Sequence, residues 1–168
     1  MFIAKNHDAI LMAANTQPEL LQKLDCMHYT EIAETTENYI LHNGQYLVES
    51  EVLQQLKAQK QQENTDKAKS AVENGHVVFK GAEFETNAQT VGDLTATMLL
   101  MQAGGIETYL WLSKDDQPIS LSIEDFGTLG GLIAEFKNTI WQEKYIACKS
   151  AIEQAETIAA VENIVIEY

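Results

Sequence analysis

Between Ser122 and Ile152 the apolar residues recur at a spacing that only a long helix satisfies. Phe126, Leu129, Ile133, Phe136, Ile140, Cys148 and Ile152 follow one another by three, four or multiples of these, so they share one broad face, while Glu135, Lys137, Asn138, Glu143 and Lys144 fall on the others. Ser122 stands before the run with Asp125 three residues on, the spacing of a reciprocal cap, and Leu121 can staple onto Phe126. At about 1.5 Å per residue such a helix reaches about 45 Å. A stripe of that length needs a second layer to cover it. Gly130-Gly131 inside the run costs about 1 kcal/mol per residue relative to alanine, which calls for a kink or a close backbone approach.

The preceding residues offer that layer. Val77-Val78-Phe79 and Ala82-Glu83-Phe84 flank Lys80-Gly81 as a hairpin. Thr86 to Gln89 supplies a cap for a helix whose Val91, Leu94, Met98 and Met101 are helically spaced, and Gly104-Gly105 stops it. Ile106 to Leu112 is rich in β-branched and aromatic residues, and Pro118 to Leu121 makes a short return strand with proline at its start. Thr157 caps a last short helix, and Ile164 to Ile166 is expected as a terminal strand.

Towards the N-terminus, Phe2-Ile3 and Ala9 to Ala13 read as strands joined by Asn6-His7-Asp8, and Thr16-Gln17-Pro18-Glu19 opens a two-turn helix with Leu20, Leu21 and Leu24 on one face. A strand at Tyr29 to Ala33 follows. Asn43-Gly44 then joins Tyr39 to His42 with Gln45 to Val48 in a two-residue turn. From Ser50 onward a helix loses its apolar stripe after Leu56, and Asn64-Thr65-Asp66 is expected to break it. The expected architecture is therefore α+β: a small ββαβββ module over residues 1–50, a polar helical linker over 51–74, and a domain over 75–168 in which a long helix covers short antiparallel strands.

The chemistry available is limited. The formal net charge is −14 and every basic residue is a lysine, which disfavours direct binding to nucleic-acid phosphates. Five lysines face fifteen acids over residues 73–168, so a solvated acidic surface is one reading and a phosphate mimic the other. No apolar run approaches the roughly 20 residues of a membrane span, and Lys5 to Asp8 interrupts the first one, so neither a span nor a signal peptide is expected. Cys26 and Cys148 lie far apart among apolar residues, as buried reduced thiols do. The histidines at 7, 28, 42 and 76 are not paired at metal-ligand spacing, and the Asp115-Asp116 turn lacks the further oxygen ligands of a calcium loop. No nucleotide loop, nucleophile elbow or zinc-protease motif is present. The expectation is a non-enzymatic protein without catalytic residues, cofactor or metal.

Residues 75–86, the Trp111 strand, Ile119 to Ser122 and the helix closing on Ala151-Ile152-Glu153-Gln154-Ala155-Glu156-Thr157 together resemble a domain of unknown function encoded in the tail-fibre regions of phages and prophages. The likeness covers about 90 residues of this chain. Its hairpin departs from that pattern after Thr86, where Asn87 and Ala88 replace an acidic and basic pair. The N-terminal module is similar in style to small tail-fibre assembly proteins. The resemblance implies a phage tail-fibre component or an assembly chaperone, bound to a fibre or other tail protein, possessing self-association as an option, and located in the virion tail or in the host cytoplasm during assembly. Candidate anchors for such binding are Tyr39 and Tyr46 in the N-terminal module, and Tyr109, Trp111 and Trp141 beyond it. The alternative expectation is an acidic phage-encoded inhibitor that mimics nucleic acid to block a host defence protein.

Overall fold

The computed structural model describes residues 1–6, 9–23 and 31–168. The expected turn at His7-Asp8, the inward face of Leu24, the thiol of Cys26, His28 and the start of the Tyr29 strand lie outside these residues. The chain is α+β, and its contacts divide it into two units, one of residues 1–60 with 155–163 and one of residues 61–154 with 164–168.

In the first unit β1 (Phe2–Asn6) lies between β2 (Ala9–Ala14) and β3 (Glu31–Glu34), both antiparallel to it, with the short helix α1 (Gln17–Lys23) between β2 and β3 in the chain. Ala4, Ala14 and Leu20 are buried, with Phe2, Met12 and Ile32 packed on them. Leu21 is exposed, since a helix of two turns presents a single residue row to a three-stranded sheet. β4 (Tyr39–His42) and β5 (Gln45–Val48) form the expected hairpin, Asn43 and Gly44 both taking the positive φ of a tight two-residue turn. α6 (Ile158–Glu162), capped by Thr157 and burying Val161, also belongs to this unit.

Helix α2 (Glu49–Glu73) runs unbroken through Asn64-Thr65-Asp66, unlike the expectation. Asn64, Ala68 and Val72, spaced by four, are buried, so one side of the helix is not solvated from Asn64 on. The reason is chemical. Asn64 Nδ2 donates to the Tyr145 carbonyl at 3.2 Å and its own side-chain oxygen accepts from the Tyr168 hydroxyl, so a residue that breaks exposed helices is satisfied by tertiary partners.

In the second unit β6 (His76–Phe79) and β7 (Ala82–Glu85) pair antiparallel, as do β8 (Thr108–Leu112) and β9 (Pro118–Ser122). Between the two ribbons in sequence runs α3 (Ala88–Gly104), whose cap is Asn87, accepting from Thr90 N at 2.8 Å. Thr86, expected to be that cap, is buried and donates to the Val72 carbonyl at 2.7 Å instead. Ser122 and Asp125 form the expected capping box at the start of α4 (Ile123–Asn138). The helix continues through a π-helical stretch (Thr139–Tyr145) into α5 (Ile146–Gln154). Phe126, Leu129 and Ile133 pack with Phe84, Leu94, Met101 and Leu121, and Trp111 meets Phe126 edge to face at 5.2 Å. A second small cluster sets Ala68, Val72 and Ile140 against Phe136, Trp141 and Tyr145. Gly130-Gly131 does not mark a forced approach, since a Cβ at Gly130 would make ordinary contact with Leu94 and one at Gly131 would meet open space. Ile164 to Ile166 is not a strand, although Ile166 is buried and its carbonyl accepts from Lys67 at 3.2 Å.

Candidate interaction surface

The five aromatic anchors expected from sequence fall in three places. Tyr39 and Tyr46 are half-buried and line one hollow of the first unit together with Ile10, Val48 and Glu51. The Tyr39 hydroxyl donates to Glu37 at 3.0 Å, and burial, then this bond, hold its pKa above the ordinary phenol value. Trp141 is half-buried in the second cluster, edge-on to Tyr145 at 5.2 Å, and so serves packing. Tyr109 and Trp111 alternate on one face of β8, Trp111 half-buried against Phe126 and Tyr109 38% exposed.

The other face of β8 is apolar too. Leu110 is 67% exposed and Leu112 is 58% exposed, opposite Ser120 and Pro118 of β9. A two-stranded ribbon has one core to offer, so a strand with large apolar residues on both faces must leave one set in water. The signal was present in sequence: Thr108 to Leu112 lacks the apolar and polar alternation of a half-buried strand.

The backbone of β8 is as open as its side chains. Ser113 N–H donates to the Gln117 carbonyl at 2.9 Å, which sets the alternation of the antiparallel ladder. Tyr109 and Trp111 then face β9, and the N–H and C=O groups of Thr108, Leu110 and Leu112 face away from it. The outer edge of β9 is closed by comparison. Pro118 has no N–H to offer, and the Ser122 N–H is taken by Asp125 at 2.9 Å. The outer edge of β8 bears no proline, charge or bulge, the usual protections of a natural edge. The other ribbon meets the chain just beyond this edge, where Lys114 N–H donates to the Glu83 carbonyl at 2.8 Å. Below that point a hollow of about 270 Å³ is lined by Glu85, Thr90, Asp93, Trp111, Leu112 and Asp116, among others.

Other sites offer less. A groove of about 580 Å³ runs between the end of α2 and the π-helical stretch, with Lys67, His76, Lys144, Phe136 and Tyr168 on its walls. Lys67 is engaged by Glu63 at 2.9 Å and by the Ile166 carbonyl. Asp125 is held below the ordinary carboxylate value by its bond to Lys80 at 2.6 Å, then by the Ser122 N–H. Among the described residues there is no cluster of metal-ligating side chains, and no buried side-chain nitrogen or oxygen lacks a partner. No described helix is long and apolar enough to cross a membrane.

A sequence model of one protein family, described as Domain of unknown function (DUF4376), matches residues 55–166. No curated protein and no solved structure matches the chain.

Proposed function

We propose that the chain, which belongs to this family of unknown function whose match spans two thirds of it, is a non-enzymatic, phage tail-associated protein that works by binding a tail-fibre or other tail protein. The observation that carries the binding role is β8, a strand with Leu110 and Leu112 in water and an unprotected edge. The phage assignment is supported by the resemblance of the hairpin, the Trp111 strand and the closing helix to domains encoded in tail-fibre regions. Work in the virion tail, or in the host cytoplasm as an assembly partner, fits a chain that offers the open face of β8 for binding. The alternative, a nucleic-acid mimic, needs its carboxylates available on one face, and Glu83 and Asp125 are withdrawn from such a set by Lys114 and Lys80.

The test is co-expression with the tail-fibre proteins of the phage or prophage that encodes the chain, followed by size-exclusion chromatography and mass spectrometry of purified virions. A stable complex found in the particle indicates a component, and one absent from the particle an assembly chaperone. Lack of any complex would reject both.

A further inference from the structure

We infer that the outer edge of β8 is a strand-addition site for an extended segment of a basic partner protein, with a lysine or arginine of that segment seated in the acidic hollow at the Leu112 end. This deepens the reading of β8 as the working surface and rests on it. Three free N–H and C=O pairs, those of Thr108, Leu110 and Leu112, can give main-chain bonds to an added strand. Its alternate side chains would lie over Leu110 on one face and Tyr109 on the other, covering apolar surface now in water. At the Leu112 end the Lys114 to Glu83 backbone bond closes the gap between the ribbons, so the segment must stop or turn there, beside the hollow.

Charge selects the occupant. Glu85, Asp93 and Asp116 line that hollow, and its one lysine, Lys114, already pairs with Glu83 at 3.3 Å. A second copy of a chain with formal charge −14 would bring acids to acids, and its residues before Thr108 would run into the closed end. A segment with a basic residue there meets opposite charge on ground that is otherwise uncharged from Thr108 to Leu112.

Amide hydrogen exchange and a peptide titration followed by NMR on the full chain test this. In the free protein, the amides of Thr108, Leu110 and Leu112 should exchange at least tenfold faster than those of Tyr109 and Trp111. The probe is an alternating valine–threonine heptapeptide with a lysine at each end, with a glutamate-ended version as control. Millimolar lysine-ended peptide should shift and slow the three outward amides, and the glutamate-ended one should bind at least tenfold more weakly. Leu110→Pro removes an outward N–H and leaves the β9 ladder intact, so it should abolish the effect with an unchanged circular dichroism spectrum; if that variant misfolds, Leu110→Lys at the exposed side chain replaces it. Asp93→Asn should weaken the lysine-ended peptide alone. Protected outward amides in the free chain, with or without a dimer mass, would overturn the proposal, as would no shift at β8, shifts centred elsewhere, or equal binding of both peptides. Retained co-purification of Leu110→Pro with a fibre protein would sink this site and leave the tail-associated role standing.

Discussion

Asn64 joins α2 to the segments packed on it. Its amide meets the Tyr145 carbonyl, and its side-chain oxygen accepts from Tyr168, so Asn64→Ala leaves buried polar atoms without partners. A loss of about 1–3 kcal/mol is expected in urea denaturation. Gly75 is constrained by space, since a Cβ there would stand 2.6 Å from both the Phe136 ring and the Ala71 carbonyl oxygen. Gly75→Ala should therefore cost about 1–3 kcal/mol through overpacking, measured by thermal unfolding. Tyr168 gives the chain an alkaline limit. Burial, then the charges of Cys148 and Tyr145, push its hydroxyl up to about 12 from the ordinary 10.0. A raised folded value means that the stabilisation is whole below the ordinary value and is lost as pH rises from about 10 to about 12. Tyr168→Phe should flatten that part of the stability profile. Cys148 is half-buried rather than enclosed.

The elements follow their caps closely where the caps are local. Ser122 accepts from Asp125 N at 3.2 Å, and Asp125 returns the bond to Ser122 N, so Ser122→Ala should destabilise the second unit by about 1 kcal/mol in chemical denaturation. Because Lys80 and the Ser122 amide depress the Asp125 pKa, its contribution is present above the ordinary carboxylate value and is lost as pH falls through the depressed one. Asp125→Asn should remove that segment of the acid profile, read from denaturation midpoints between the two values. The long helix departs from regularity at Thr139–Tyr145, away from its glycines. The wider winding there accompanies the gathering of Ile140, Trp141 and Tyr145 towards Ala68 and Val72, and Asn64 uses a carbonyl of the stretch. A substitution of Gly131 by alanine meets open space and should raise stability by up to about 1 kcal/mol, measured by thermal unfolding.

At the scale of the molecule, the last residues return to the second unit after α6 has joined the first. A chain ending at Asn163 loses buried Ile166, the Lys67 bond to its carbonyl and the Tyr168 contact with Asn64. Amide protection in α2 from Gln61 to Glu73 should then fall while that of β1 and β2 stays unchanged. The α+β class, the ββαβββ order, the Asn43-Gly44 and Lys80-Gly81 turns and the Ser122 cap were legible from sequence, because each depends on residues within a few positions of one another. The anchor residues were legible as types, and their roles were not: Trp111 and Trp141 both pack edge-on against another ring, Phe126 and Tyr145, whereas Tyr109 on the same face of β8 stays exposed. By itself the sequence determined the elements fixed by periodicity and local caps, which need no distant partner, but neither the unbroken run of α2 through Asn64 nor the irregular course of Ile164 to Ile166. The tertiary structure alone decided that Asn64 is buried and that the β8 edge is bare, because satisfaction of a polar group or a strand edge depends on which distant atoms come within hydrogen-bonding reach.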